Sequence, residues 1–380
     1  MGFLKKLFPY ILLLFFIGGC SSSLIKLDIE PGYTGLEMFG QKSERSFYYD
    51  IEKIDTLKLK WSSSTKGSFT NNTVVTAEKF VFINDLAGRI TVFDIETGKR
   101  KGMLNYKGSV YTTPVINKYT TYFAVAELNN PSSLLVGYDI FNGVELFKVE
   151  IEGKIVNELL FLDDGIIAIT GNGDVFKYGF KGEKIFQIRL RKGINSHPTL
   201  YKEQVVFGTK EGEILILDKN NGQVKRKVKI SDQSLNNGSI KNNIFYIGSD
   251  DGNLYSYNFE TGKEKILFKT GSKIIAAPSF DDENIYFGSM AGWFYSFSLK
   301  KEKMNWSINL NGLINASAMV TKDEVVIPDL NKNIYIVNKR TGGINSVYKY
   351  EGRVKLTPVV KDNLLFIGYD NGVLECYEIQ

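Results

Sequence analysis

The five residues Asp94-Ile-Glu-Thr-Gly98 indicate the architecture of the chain, because similar five-residue stretches recur along it and each ends in glycine. The further copies are Asp139-Ile-Phe-Asn-Gly143, Asp218-Lys-Asn-Asn-Gly222, Asn258-Phe-Glu-Thr-Gly262 and Asn338-Lys-Arg-Thr-Gly342. The closing glycines are 45, 79, 40 and 80 residues apart, and the two wide gaps predict degenerate copies near Gly182 and Glu302. A period of about forty residues is typical of a stacked or radial repeat, in which each copy is one supersecondary unit.

A hairpin precedes each of these turns. An apolar strand leads into a tight turn with Gly, and an alternating strand then runs to the quoted turn, as in residues 205–218, 244–258 and 285–298. Asp-Gly and Asn-Gly supply the positive φ that tight hairpin turns require, and alternating β-branched and aromatic residues give the two-residue period of a strand. We predict eight hairpins, which begin near Phe80, Thr121, Ile166, Val205, Ile244, Ile285, Val325 and Leu364.

Two further strands complete each repeat. Small residues, often with Pro, stand before the hairpins and suit a strand at a crowded axis, because Pro is tolerated at a sheet edge. A polar strand such as residues 263–269 or 303–308 follows the quoted turn. Four strands per repeat predict an all-β, eight-bladed β-propeller of four-stranded antiparallel blades. The small-residue dipeptides are Thr113-Pro114, His197-Pro198, Ala277-Pro278, Ala316-Ser317 and Thr357-Pro358.

The two ends of the repeat array predict how the ring closes. The last repeat reaches Gln380 without an outer strand, whereas residues 57–61, Leu-Lys-Leu-Lys-Trp, have the outer-strand pattern without a hairpin of their own. We predict that this N-terminal strand completes the last blade, because the pairing removes an exposed sheet edge. The propeller is therefore predicted to span residues 57–380.

The first residues have the pattern of a bacterial lipoprotein leader. Lys5 and Lys6 precede an apolar run, Tyr10 to Ile17, that is too short to span a bilayer. The following Gly18-Gly19-Cys20 resembles the lipobox, in which the Cys thiol is lipidated and this residue becomes the new N-terminus. The predicted segments are a signal peptide over residues 1–19 and a tether over residues 20–56 that is lipid-anchored through Cys20.

Charge and cysteine content exclude some classes of partner and bond. The formal net charge of +5 falls to +3 when Lys5 and Lys6 leave with the signal peptide, and the remaining lysines are scattered. This balance does not predict a nucleic-acid partner, and membrane contact is predicted only through the lipid anchor. Cys376 would be the one free thiol after lipidation of Cys20, so no intramolecular disulfide is expected.

The turns with a following Lys, such as Asp94-Ile-Glu-Thr-Gly-Lys99, resemble the quinoprotein-type (PQQ-like) propeller repeat. WD40 and kelch repeats fit poorly, because the chain has no Trp-Asp dipeptide and its period is too short for kelch. Lipobox, tether and eight blades together resemble the BamB family, the lipoprotein of the outer-membrane barrel-assembly machinery. This resemblance implies a non-catalytic scaffold that binds the barrel-forming subunit as a monomer within a complex. It also implies an outer-membrane location facing the periplasm, which Ser21 after Cys20 favours if the source is Gram-negative.

The same resemblance implies a partner-binding stretch. The apolar and Arg-bearing loop of the family matches Ile188-Arg-Leu-Arg191, with Leu190 and Arg191 as the best matches. The acidic residues that the family uses in the next blade are matched only near Asp232, because Gln233 and Leu235 occupy the neighbouring positions. The alternative for Arg191 is an ordinary surface residue of an outer strand.

No catalytic residue, cofactor or metal site is predicted. Quinone enzymes of this repeat type use a calcium cage, flanking Trp and often adjacent cysteines, whereas Trp61 and Trp306 lie on outer strands here and no Cys pair exists. His197, the only histidine, is expected to line the channel, and turn carboxylates such as Asp250 and Asp251 favour turn formation. The alternative function is a propeller lipoprotein that binds a small ligand or quinone in its axial channel.

Overall fold

The computed structural model describes residues 24–380, which form eight antiparallel sheets. Two strands, β1 (Leu36–Glu37) and β2 (Leu57–Ser64), precede the first blade. Blade 1 consists of β3 (Val75–Ala77), β4 (Phe80–Asn84), β5 (Arg89–Asp94) and β6 (Arg100–Asn105), and blade 2 of β7 (Gly108–Ser109), β8 (Val115–Asn117), β9 (Thr120–Glu127), β10 (Ser132–Asp139) and β11 (Val144–Glu152). Blade 3 consists of β12 (Leu160–Leu162), β13 (Gly165–Ile169), β14 (Asp174–Tyr178) and β15 (Lys184–Arg189), and blade 4 of β16 (Thr199–Tyr201), β17 (Gln204–Gly208), β18 (Glu213–Asp218) and β19 (Val224–Lys229).

Blades 5 to 8 continue the same pattern to the end of the chain. Blade 5 consists of β20 (Leu235–Lys241), β21 (Ile244–Ser249), β22 (Asn253–Asn258) and β23 (Glu264–Lys269), and blade 6 of β24 (Ser279–Phe280), β25 (Asn284–Gly288), β26 (Trp293–Ser298) and β27 (Lys303–Asn309). Blade 7 consists of β28 (Met319–Val320), β29 (Glu324–Pro328), β30 (Asn333–Asn338) and β31 (Ile344–Lys349). Blade 8 consists of β32 (Val359–Lys361), β33 (Leu364–Tyr369) and β34 (Val373–Ile379), with a 3-10 turn at Asp370–Gly372.

Each blade runs from an inner strand A at the axis through strands B and C to an outer strand D. Because neighbouring strands are antiparallel, the A–B and C–D turns share one face of the ring, which we call the lower face. The B–C turns and the D–A connections share the upper face. Strands such as β4 and β13 are buried along their whole length, because neighbouring blades cover both sides of the sheet. The prediction of an eight-bladed, four-stranded propeller is confirmed.

The hairpin predictions are confirmed in position as well as in number. All eight observed B strands begin at, or one residue before, the predicted starting residues. At the C–D turns, the five repeated glycines adopt positive φ, from 66° at Gly98 to 76° at Gly143. The degenerate copies use the same left-handed backbone, with φ of 83° at Gly182 and 48° at Glu302. Backbone geometry at these turns is therefore retained even where the glycine is not.

The ring closes through the N-terminal strand, as predicted. Strand β2 pairs antiparallel with β34, from Leu57 opposite Ile379 to Ser64 opposite Val373, and it is the D strand of blade 8. Trp61 on β2 lies over the C–D turn of blade 1, where a Cβ on Gly98 would stand 2.6 Å from the indole ring. The indole Nε1 donates a hydrogen bond to the Ile95 carbonyl at 2.8 Å, so β2 joins blade 8 to blade 1.

The chain before β2 packs against the propeller from the first described residue onward. Ile25, Leu27 and Ile29 are buried between blades 1 and 2, and they alternate with exposed polar residues. Strand β1 then pairs with β8 at the axis. Cys20 and the predicted signal peptide lie outside the described residues, and the lipid-anchored tether stays a prediction. Residues 24–380 contain no helix that is long and apolar enough to cross a membrane.

Replacing Trp61 tests the closure. We expect Trp61→Ala to lower the free energy of unfolding by about 3–5 kcal/mol, because it opens a cavity against Gly98, Phe93 and Phe366 at the seam of the ring. Leu59→Ala is the matched control on the same strand, because its side chain is 52% exposed, and it should cost less than about 1 kcal/mol. Urea unfolding measures both, and equal losses would contradict the role given to Trp61.

Candidate functional sites

A segment of the N-terminal chain crosses the lower end of the axial channel. This crossing segment, residues 36–51, passes from one inner strand to the next and hydrogen-bonds to their backbones. The Leu200 and Ile240 N–H groups donate to the Ser43 and Glu44 carbonyls at 3.1 and 2.9 Å, respectively. Phe280 and Val320 donate in the same way to Ser46 and Phe47, at 3.2 and 3.0 Å. The segment therefore extends the inner sheet edges of blades 2, 4, 5, 6 and 7.

Arg45 points from the crossing segment into the channel and is fully buried. Its guanidinium Nη1 donates to the Phe39 carbonyl, and Nη2 donates to the Leu159 and Pro198 carbonyls at 3.1 and 3.2 Å. Burial lowers the pKa of Arg45 to about 10, while the carboxylate of Glu158 opposes this shift. The guanidinium is charged at neutral pH and fastens the segment to blades 3 and 4.

Above Arg45, one residue of each blade contributes to a belt of hydrogen bonds around the axis. The backbone N–H of Thr113 donates to the Glu158 carboxylate at 2.7 Å, the backbone N–H of Glu158 donates to His197 Nδ1 at 3.2 Å, and the backbone N–H of His197 donates to Asn237 Oδ1 at 3.0 Å. Each belt residue lies three positions before the inner-strand residue that occupies the same position in every blade. The full set is Thr73, Thr113, Glu158, His197, Asn237, Ala277, Ser317 and Thr357.

The pKa values of the two titratable belt residues are both shifted toward the uncharged form of the side chain. Burial raises the pKa of Glu158 to about 7, although Arg45 and the hydrogen bonds from Thr113 lower it. Burial and the Arg45 charge lower the pKa of His197 to about 3. Because Nδ1 of His197 accepts a hydrogen bond, the neutral ring carries its proton on Nε2. His197 therefore joins two blades as a neutral group.

The axial residues do not fit a calcium-bound quinone. A calcium cage needs several oxygen ligands around one point, and residues 24–380 bring no three Asp, Glu, His or Cys side chains together for a metal ion. On the axis, the Glu158 carboxylate is engaged by Thr113, and the Arg45 guanidinium packs over the Phe39 ring at 5.4 Å. No catalytic step is derived from such a group.

The predicted partner stretch ends the outer strand of blade 3 and begins the connection to blade 4. Ile188 on β15 is half-buried, and its Cγ1 would stand 2.6 Å from a Cβ on Gly222 in the next C–D turn. Leu190 is half-buried, and its N–H donates to the Gly173 carbonyl at 3.0 Å. Arg191 is exposed on the upper face with a positive φ of 53°. Asp232 lies on the next connection, 97% exposed and 3.5 Å from Lys229.

A signal for the position of Ile188 was present in the sequence. A bulky outer-strand side chain covers the next C–D turn at several junctions, and it stands 34 to 37 positions before the closing glycine. Trp61 and Trp306 occupy this position for Gly98 and Gly342, and Phe186 and Ile188 do so for Gly222. Ile188 therefore contributes to packing between blades, and the side chains that reach the upper surface are Leu190 and Arg191.

The sequence reasoning placed five of the eight belt residues at the axis, but it missed the crossing segment, Arg45 and the other three belt residues, which are Thr73, Glu158 and Asn237. Residues 36–51 have no counterpart in the other repeats, so the forty-residue period gives no signal for them. The three missed belt residues could have been found by aligning the repeats on their inner strands, because all belt residues recur at intervals of 39 to 45. They change chemical type from blade to blade, which hides the recurrence.

Comparisons with known proteins agree with this geometry. A family model described as outer membrane protein assembly factor BamB matches residues 232–380, which include the inner three strands of blade 8 and all of blades 5 to 7. BamB of Francisella tularensis subsp. tularensis (strain SCHU S4 / Schu 4) is 35% identical over 69 residues, or 18% of this chain and 15% of that protein. The chain resembles BamB over residues 232–380, within an eight-bladed propeller. The resemblance expected from the sequence is confirmed.

A second curated relative of the BamB-like chain is the WD repeat-containing protein 55 homolog of Dictyostelium discoideum. It is 25% identical over 230 residues, which are 58% of this chain and 54% of that protein. The matched part of the chain therefore spans about one seventh of the length of the Francisella BamB and about half of the length of the Dictyostelium protein.

Among solved structures, BamB from Moraxella catarrhalis superposes with a TM-score of 0.71 at 16% identity, over 85% of this chain and all of that chain. The quinohemoprotein alcohol dehydrogenase from Comamonas testosteroni superposes with a TM-score of 0.74 at 12% identity, over 90% of this chain and 80% of that one. At these identities the BamB-like chain shares the propeller fold with both, and the fold does not separate a scaffold from an enzyme.

Replacing Arg45 tests whether it fastens the crossing segment. We expect Arg45→Met to lower the free energy of unfolding by about 3 kcal/mol or more, because it leaves buried carbonyls and Glu158 without their cation. Hydrogen exchange over residues 36–51 should accelerate in the same variant. Lys42→Met, an exposed cation on the same segment, should change neither quantity, and unchanged exchange in Arg45→Met would contradict the assignment.

The raised pKa of Glu158 predicts a pH dependence of stability. The folded state keeps this carboxyl protonated between its ordinary pKa of about 4.5 and about 7, so its contribution to stability falls as pH rises through that window. We expect Glu158→Gln to reduce the loss of unfolding free energy between pH 5 and 8 by about 1 kcal/mol or more. The exposed Glu351→Gln is the control, and identical pH profiles for all three proteins would refute the prediction.

Proposed function

We propose that this chain is a non-catalytic scaffold lipoprotein that binds the machinery assembling β-barrel proteins in the outer membrane. The observation that carries the proposal is the match of residues 232–380 to the BamB family model, on a complete eight-bladed ring. In this proposal Cys20 carries the lipid, the propeller faces the periplasm, and a single copy binds the barrel-forming subunit.

The proposed contact lies on the upper face at the junction of blades 3 and 4. Arg191 is exposed and forms no ion pair with any of residues 24–380, so its guanidinium is available to a partner. Leu190 beside it leaves part of its side chain in solvent, while its backbone is held by Gly173. Arg is one of the residue types enriched at interface hot spots. Ile188 supports the pair by packing over Gly222.

The axis of the ring supports a structural role over a catalytic one. Arg45 enters the channel from below, and the belt residues Glu158 and His197 use their polar atoms to join neighbouring blades. A general acid or base must reach the atom of a bound substrate, whereas the Glu158 carboxylate accepts from Thr113 and His197 Nδ1 accepts from the Glu158 backbone. The proposal therefore assigns binding to the outer surfaces of the ring.

Replacing the pair tests the proposed contact. We expect Leu190→Ala combined with Arg191→Ala to weaken binding to the purified barrel-forming subunit by about tenfold or more, because it removes an apolar contact and a charge together. Surface-based binding measurements on the isolated periplasmic parts of both proteins give the dissociation constant.

The matched control is Leu313→Ala with Lys332→Ala, a second exposed apolar and basic pair on the upper face, three blades further on. It should bind as the unchanged protein does. If the wild-type chain binds the subunit and both double variants bind equally well, the contact lies elsewhere. If the wild-type chain does not bind the subunit, the proposed function is wrong.

A further inference from the structure

The crossing segment leaves part of the lower channel mouth uncovered, at blades 8 and 1. A cavity of about 320 Å³ opens there between the segment and the inner strands β32 and β3. Glu37, Tyr49 and Asp50 line it from the crossing segment, and Thr76, Val360 and Lys361 line it from the two blades.

The uncovered blades present the same backbone positions that the segment occupies elsewhere. Leu200, Ile240, Phe280 and Val320 each stand opposite the residue five positions later in their hairpin, and each donates its N–H to the crossing segment. Thr76 and Val360 have the same register, opposite Val81 and Leu365. No hydrogen bond from residues 36–51 reaches either of them. Two inner-strand edges therefore face the cavity without an extended chain beside them.

Three polar side chains around these edges, Glu37, Tyr49 and Lys361, have no side-chain hydrogen bond or ion pair within residues 24–380. Glu37 is half-buried, and it forms neither a hydrogen bond nor an ion pair with any side chain among residues 24–380. Tyr49 is only 8% exposed, and its hydroxyl has no hydrogen-bond partner in the described part of the chain. Lys361 is likewise outside every ion pair of that part. Burial raises the pKa of Glu37 to about 7, although the nearby charge of Lys361 lowers it.

We propose that this cavity binds a short peptide in extended form, with the peptide's free amino terminus at Glu37. The peptide backbone would pair with the edges at Thr76 and Val360, as the crossing segment does at the other blades. Its ammonium group would pair with the Glu37 carboxylate, Tyr49 would supply a hydroxyl, and Lys361 would face the terminal carboxylate. The proposal concerns the lower face, and it does not depend on the upper-face contact proposed above.

Calorimetric titration with L-alanyl-L-alanine tests the site, with N-acetyl-L-alanyl-L-alanine as the matched ligand without an ammonium group. We expect the free dipeptide to bind at least about tenfold more tightly than its acetylated form, because acetylation leaves Glu37 unpaired. Absence of binding by the free dipeptide at millimolar concentration overturns the proposal. Equal affinity for both ligands also overturns it.

Variants locate the site on the protein. Glu37→Gln should weaken binding of the free dipeptide about tenfold or more and should not change the affinity for the acetylated form. Glu44→Gln, an exposed glutamate of the same crossing segment, should leave both affinities unchanged. Tyr49→Phe should weaken binding about threefold and provides a second test if Glu37→Gln fails to fold. Full affinity in both cavity variants would overturn the assignment.

Discussion

The pairing of β2 with β34 is the contact on which the ring depends. A propeller is stable when its blades meet all the way round, since an open ring exposes two blade faces and an unpaired edge. The two partners are separated by more than 300 residues in the sequence, so the closure contact forms only when all eight blades are in place. Trp61 extends the same contact sideways to blade 1, because its ring covers Gly98 and its Nε1 bonds to Ile95.

Closure at the rim is matched by closure at the axis. The belt joins blades 1 to 5 through successive hydrogen bonds, and Ser317 of blade 7 donates to the Ala277 carbonyl of blade 6 at 2.9 Å. Blade 1 joins blade 8 through the Thr73 hydroxyl, which donates a hydrogen bond to the Thr357 carbonyl at 2.8 Å. Polar residues at a crowded axis thus satisfy backbone groups that the inner strands leave unpaired. Such residues resemble a catalytic cluster in the sequence, yet their hydrogen bonds are directed at neighbouring blades.

The fold could be predicted from the sequence because the repeat encodes it locally. Each hairpin has its own turn chemistry, and eight copies of one pattern identify the architecture even where Glu302 replaces the turn glycine. The crossing segment could not be predicted in this way, because Arg45 and its three carbonyl partners are brought together only by the finished ring. The predicted partner stretch lies at the end of a D strand, and its role in binding stays a prediction. The packing role of Ile188 could not be predicted, because it depends on the position of Gly222 beneath its side chain. Arg191 is exposed instead.

The path of the N-terminal chain constrains how a lipid-anchored ring could lie on a membrane. Ile25 packs at the lower rim of blades 1 and 2, where its carbonyl is 3.3 Å from the Cβ position of Gly143. Three residues lie between the proposed lipid attachment at Cys20 and Leu24, so the two are at most about 14 Å apart in an extended chain. An anchor at Cys20 would therefore hold the rim of blades 1 and 2 near the bilayer. Leu190 and Arg191 lie on the upper face two junctions away, so the anchor and the proposed partner contact use different surfaces of the ring and can be occupied together.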